Sequence, residues 1–257
     1  IVLCRTKKLK SSANERRKSI LKLRSFFAFG QKGKNVQIRE HMLRKAAKTQ
    51  KGQERVRGLL VHAMDVFIEC GYEGASLDKI IRKAGGSKAT LYQNFGSKEG
   101  LFIAALELMA DDLYEACVSD YVPGRTLAED LRSFGGIFLQ GILAPRSVAV
   151  MRLIYAQSTH LAHVGQWFYQ SGIEASYLGF AKVLENHINA PLDDLKATAA
   201  VFLEALRGPF LQKALCLPET EISDEEMKAQ LERGIEFALA YIEKKYSGQQ
   251  IADDQRR

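Results

Sequence analysis

The chain reads as all-α: an N-terminal three-helix head followed by a larger helical body. Three observations carry that reading. Apolar residues recur at helical spacing in every long segment from residue 53 onward, and no window alternates as a half-buried strand does. The breaks between segments fall where backbone turns are easiest, at Gly85-Gly86, Pro123-Gly124, Pro145, Asn189-Ala190-Pro191 and Leu217-Pro218. The charge is sharply divided. Residues 1–51 hold 16 Lys/Arg and 2 Asp/Glu, a net of +14, whereas the remaining 206 residues net −7.

Residues 1–51 show no sustained period and little apolar content beyond Phe26-Phe27-Ala28-Phe29. One reading is a disordered basic arm that adds phosphate contacts without sequence preference. The favoured reading is an over-extended reading frame, with translation starting at Met42. The head is expected over 52–100, the body over 101–247 and a short tail over 248–257.

The first domain helix is expected from Gln53 to Cys70, with Val56, Leu60, Ala63, Met64 and Phe67 as its buried stripe and Gly71 as its stop. In the next short helix Leu77, Ile80, Ile81 and Ala84 share one face, and Ser76 caps its start. Gly85-Gly86 supplies a sharp turn. Ser87 then caps Lys88 to Phe95, where Leu91 and Phe95 point inward and Lys88, Thr90, Tyr92, Gln93 and Asn94 form a polar remainder free of acids. Ser97 caps a long fourth helix to about Val118, with Leu101, Phe102, Ala105, Leu106, Met109 and Leu113 inward. Further helices are expected at about 126–143, 146–158, 161–188, 192–215 and 223–245.

Two short helices, a tight turn and an acid-free outer face describe a helix-turn-helix whose second helix enters the major groove of DNA. Its N-terminus, at Ser87 and Lys88, offers free N–H groups and partial positive charge to a phosphate. Thr90 and Tyr92 add hydroxyls, and Lys98 adds an ammonium at the start of the fourth helix. Lys88 and Gln93 are the expected base readers, since Lys suits guanine O6/N7 and Gln suits adenine N6/N7. Asn94 either reaches a base or faces the backbone near Gly96.

From Arg55 to Leu106 the chain resembles the DNA-binding domain of TetR-family transcriptional regulators. The resemblance rests on Phe67, Gly71, Tyr72, Ser76, Leu77, Ile80, Ala84, Gly85, Ser87, Thr90, Leu91, Tyr92, Phe95, Lys98, Glu99 and Leu101. It implies DNA-backbone roles for Thr90, Tyr92 and Lys98, and a homodimer paired through the last two long helices. The stretch AVMRLIYAQSTHLAHVGQWFYQSG is similar to the C-terminal domain of AefR-like repressors.

The body suits a sensor. Leu153 to Ile173 carries no formal charge and mixes aromatics with hydrogen-bonding groups, as the lining of a mostly apolar pocket does. Candidate contacts to a small, largely apolar effector are Phe138, Met151, Tyr155, His160, His163, Trp167, Phe168 and Tyr177. For any single aromatic among them, core packing is the more ordinary role. Leu195, Ala199, Phe202, Leu203, Leu206 and Phe210 form one stripe; Met227, Leu231, Ile235, Ala238 and Ile242 form another. Under the resemblance these are dimer faces, and on periodicity alone they serve equally as the core of one chain.

Other functions find less support. No nucleophile motif, phosphate loop, paired carboxylates or metal cluster argues for an enzyme, and no cofactor is expected. His160 and His163 stand at i, i+3 without an acidic or cysteine partner in their segment. The four cysteines, at 4, 70, 117 and 216, are too scattered for a zinc or redox motif, which points to a reducing, cytoplasmic setting. No uncharged apolar run is long enough for a membrane span. A non-specific architectural DNA-binding protein relying on the basic segment is the alternative. The partners expected of the leading reading are a palindromic double-stranded operator, a small-molecule effector and a second copy of the chain.

Overall fold

The computed structural model describes residues 50–121, 124–219 and 221–247, with the backbone alone over 113–120. The basic segment as far as residue 49, the Met42 start and the tail at 248–257 lie outside the described residues. Among those described, ten α-helices run in order: α1 (Gln50–Gly74), α2 (Leu77–Ala84), α3 (Lys88–Phe95), α4 (Lys98–Asp120), α5 (Leu127–Leu143), α6 (Pro145–Gln157), α7 (Ala162–Phe168), α8 (Ala175–Leu184), α9 (Leu192–Cys216) and α10 (Asp224–Tyr246). A π-helical turn, Tyr169–Glu174, separates α7 from α8.

The helices form two compact units. One takes in 50–114 and 149–172; the other takes in 115–148 and 173 onward. The first unit's core gathers the expected α1 stripe (Val56, Leu60, Ala63, Met64, Phe67) with Ile80, Leu91, Phe95, Leu101, Phe102, Ala105 and Leu106. Phe67 meets Phe102 edge-on at 4.8 Å, and Tyr72 stacks on Phe67 at 5.8 Å. Val150 and Ile154 from α6, with Val164 and Trp167 from α7, are buried in the same cluster. This departs from a boundary at residue 100. Residues 149–172 complete the head's core because their apolar side is covered there.

Local chemistry explains the helix ends. At Gly71 the backbone leaves helical geometry (φ 71°, ψ 165°), so α1 proper stops where the sequence expects. Pro145 occupies the first turn of α6, where its missing N–H costs nothing, and Ala144 before it is held extended. Thr126 and Ser223 open α5 and α10 with reciprocal capping boxes closed by Glu129 and Glu226. The helix expected over about 161–188 is present as an unbroken helical run, α7, the π stretch Tyr169–Glu174 and α8, that ends at Leu184. Its apolar residues serve first one unit (Val164, Trp167) and then the other (Phe180, Ala181, Val183, Leu184).

In the second unit α9 packs between α8 and α10, and α10 packs on α5. Rings of Phe134, Phe180 and Phe202 follow one another at 4.8 and 5.0 Å. Close approach is set by two glycines. A Cβ on Gly135 would stand 2.9 Å from both Leu231 and Phe202, and one on Gly234 would stand 2.4 Å from Leu206. Of the two readings open to the stripes on α9 and α10, most of their residues take that of a core, and Met227 and Leu231 are half-buried. Leu195, Ala199, Phe202, Leu203, Leu206, Ile235, Ala238 and Ile242 are buried within one chain, where helix packing inside the unit already covers them.

Pro209 lies inside α9 without ending it. It has no N–H to give the carbonyl of Ala205, four residues earlier. Gln230 of α10 donates to that oxygen at 2.7 Å, and its own side chain is buried.

Candidate nucleic-acid interface

The turn Gly85-Gly86 sits at φ 76° and 105°, a conformation that disfavours side chains with a Cβ, and Gly85 N–H closes α2 onto the Ile81 carbonyl at 2.7 Å. Ser76 and Ser87 each accept from the N–H three residues on, at 3.2 Å. Their hydroxyls thus act first as helix caps. Thr90 Oγ1 shares a 2.9 Å hydrogen bond with Ser87 Oγ, so these two hydroxyls form one polar unit at the start of α3.

Leu91 and Phe95 are buried and anchor α3, which leaves Lys88, Thr90, Tyr92 and Gln93 exposed. Tyr92 is 54% exposed, far more than a packing role would leave. Asn94 is half-buried. Lys88 and Tyr92 stand one turn apart, which sets them side by side. Lys88 is not free: its Nζ lies 2.8 Å from Asp78 Oδ2, an ion pair reaching from α2 to α3, which holds the ammonium above the usual lysine pKa range.

Lys98, expected at the DNA backbone, is engaged within the chain in this structure. Its ammonium donates to the carbonyls of Tyr72 at 2.9 Å and Glu73 at 3.4 Å, and lies 4.4 Å over the Tyr72 ring. A cation at a helix C-terminus satisfies its last carbonyls and suits its dipole. Lys98 therefore ties α4 to the end of α1.

The acids are the residues that reading α3 by itself leaves out. Residues 50–114 carry 8 Lys/Arg and 9 Asp/Glu, so this part of the head is not basic. Arg57 makes two 2.7 Å hydrogen bonds to Asp112, Lys83 pairs with Glu69 at 2.5 Å, and Glu99 pairs with His163. The signal was present as acids in α1, α2 and α4, but their partners lie a turn or a helix away.

The expected effector contacts divide between the two units. Met151 and Trp167 are buried, Trp167 within the head's core cluster, and Tyr155 meets Phe168 edge-on at 5.9 Å with Tyr155 exposed. His160 is exposed, and His163 is engaged by Glu99. Phe138 and Tyr177 belong to the other unit, where Tyr177 donates to Glu204, itself paired with Arg207. That unit also holds a group the sequence did not signal. Buried Asp130 accepts from Tyr121 Oη at 2.7 Å and the Gly124 N–H at 2.6 Å, and meets His187 Nε2 at 2.6 Å. Burial, then the Asp130 charge, pushes the Tyr121 phenol well above its usual pKa. Among the described residues no group of three or more His, Cys, Asp or Glu is placed to hold a metal ion, and no single helix is long and apolar enough to cross a membrane.

Residues 59–105 match the profile of bacterial regulatory proteins of the tetR family, and 129–242 match the C-terminal domain of AefR-like transcriptional repressors. The chain belongs to the TetR family. It is thus a helix-turn-helix transcriptional regulator of the DNA-binding kind. The transcriptional activator FasR of Mycolicibacterium smegmatis is 45% identical over 60 residues, 23% of this chain and 27% of FasR. The curated relatives are matched over only 27–44% of their own length. Solved structures are covered more fully. A chain described as a TetR-family regulator from Mesorhizobium loti aligns at TM-score 0.64 and 22% identity, over 76% of this chain and 98% of that one. The flavonoid-responsive regulator FrrA aligns at TM-score 0.59 and 28% identity, over 73% and 96%.

Proposed function

We propose that this TetR-family protein is a homodimeric repressor that binds a palindromic operator through α3 and is released by a small, largely apolar ligand. The observation that carries the DNA reading is the outer face of α3: Lys88, Thr90, Tyr92 and Gln93 are exposed, acid-free and presented by buried Leu91 and Phe95. Thr90, Tyr92 and the free N–H groups at Ser87 suit phosphates, while Lys88 and Gln93 suit base edges. Ser76 supports them as a cap, and Asn94 stands at the rim.

Repression is supported by the likeness of 129–242 to AefR-like repressors. One recognition helix spans too few base pairs for an operator, so two half-sites about 34–36 Å apart call for two copies. A face left open for the second copy is that of Phe237, 52% exposed and stacked with Tyr241 at 6.5 Å. The effector reading centres on Tyr155, Phe168 and Trp167, and FrrA's response to flavonoids favours a planar aromatic ligand class. The setting that fits all this is the cytoplasm.

Selection of genomic fragments by the purified protein, followed by sequencing, tests the reading. A recovered site with two-fold symmetry, held against excess random DNA, is expected. Asymmetric or random recovery would favour the architectural alternative. Trp167 is the single tryptophan of the chain, so its fluorescence reports an effector that also releases the fragment.

A further inference from the structure

Lys88 stands at the first position of α3, the end of a helix where the dipole disfavours a cation. Asp78, in the first turn of α2, sits where the dipole favours an anion. The 2.8 Å pair between them therefore places each charge against the other, on a surface where both side chains are more than half exposed (54% and 62%). Asp78 is thus an acid bonded to the recognition helix's outward face. A carboxylate there is costly beside a polyanion unless it does something for Lys88.

We propose that Asp78 is a specificity-determining residue: it cancels the charge of Lys88 toward phosphate while leaving its remaining N–H donors to a guanine edge. This rests on the operator-binding reading above. An ammonium has three donors and the carboxylate engages one, so two remain for guanine N7 and O6. Phosphate attraction works differently. It draws on net charge and counterion release, which a neutral pair does not supply. The pair therefore keeps the hydrogen-bond information of Lys88 and withholds its sequence-independent affinity. The near-neutral head fits the same logic, with 8 cations and 9 anions over 50–114.

The test compares the unmodified chain with Asp78→Asn, Lys88→Ala and the double variant, each titrated over a salt series on the selected genomic fragment and on random-sequence DNA. Asp78→Asn is expected to tighten random-DNA binding and steepen its log K against log salt slope by about 0.9 per head, which narrows the preference for the selected fragment. In the Lys88→Ala background the same substitution leaves the slope unchanged. An equal slope change in both backgrounds overturns the proposal, because Asp78 would then act by plain repulsion. An unchanged slope in Asp78→Asn, with the selected fragment still preferred by the parent chain, overturns it as well and leaves operator binding standing. A parent chain that prefers no fragment overturns both.

Discussion

The two units differ in where they place polar groups: both pair charges at the surface, and one also buries polar groups between its helices. In the head the charges are paired at the surface: Arg57 with Asp112, Lys83 with Glu69 and Lys88 with Asp78 all have side chains at least about a third exposed. The other unit has surface pairs as well, such as Arg132 with Glu232, but it also seals polar groups in. Asp130 with His187, Thr198 with Tyr246, and Gln230 on the Ala205 carbonyl lie among packed helices. Exposed pairs contribute roughly 0–1 kcal/mol and exchange partners readily, whereas breaking a buried pair costs about 3–5 kcal/mol. The contrast teaches that exposed pairs leave charge available to a partner in either unit, while the buried groups of the second specify how its helices meet.

The largest effects should come from the interiors. Trp167→Ala removes a side chain from the head's core cluster, so a loss of about 3–5 kcal/mol in denaturant unfolding is expected, with DNA binding lost alongside. Trp167→Ala is thus no clean probe of the effector; Trp167→Phe, which keeps most of the volume, serves better. A stability change under 1 kcal/mol for Trp167→Ala would remove residues 149–172 from the head. Asp130→Ala should cost about 3 kcal/mol, since it strands the Tyr121 hydroxyl and the Gly124 N–H. Fragment binding at temperatures well below the melt should survive it, which separates the second unit's polar core from the DNA face.

Gln230→Ala is expected to cost about 1–3 kcal/mol by orphaning the Ala205 carbonyl. The same change in a Pro209→Ala chain should cost less, because the restored amide at 209 serves that oxygen; equal costs would show that Gln230 matters only for packing. Lys98→Ala should lower the melting temperature through loss of about 1–2 kcal/mol of charged hydrogen bonding to the end of α1. A flat melt with a salt slope reduced by about one unit would instead return Lys98 to the phosphate contacts.

The smallest effect concerns acid. Backbone N–H groups of Arg125 and Thr126 hold the Glu129 carboxyl below its usual range, and that of Ser223 does the same for Glu226. A carboxyl lowered in the folded state stabilises above its unfolded pKa and loses that contribution as pH falls through the folded one. The melt should therefore decline below about pH 4.5, and Glu129→Gln with Glu226→Gln should flatten that decline. An unchanged decline would assign it to other carboxylates.

Much of the head was legible because its signals are local. Ser76 and Ser87 cap within three residues, Gly85-Gly86 turns within two, and the buried stripe of α1 follows one helix. What escaped is what joins distant positions. Asp78 and Lys88 are ten residues apart across a turn, and Asp130 meets His187 at a separation of 57. Periodicity also reports that a face is covered without naming the cover. Phe202, Leu206 and Ile235 have the spacing of an interface and are closed by helices of their own chain. The same ambiguity let Val164 and Trp167 read as body residues until their neighbours were seen.

The pairing of Pro209 with Gln230 also constrains the order in which the chain can change. A carbonyl oxygen has two lone pairs, so Gln230 can bond to Ala205 whether or not an amide at 209 already does. A proline arriving first would orphan that carbonyl inside the unit. The tolerated route to the present pair therefore introduces glutamine at 230 before proline at 209, and the route back removes proline first. Gaining proline at 209 is harmless only with glutamine already at 230, and losing that glutamine is harmless only once the proline has gone. A survey of substitutions made singly would score Gln230 as costly to lose and Pro209 as replaceable, although both depend on the same oxygen.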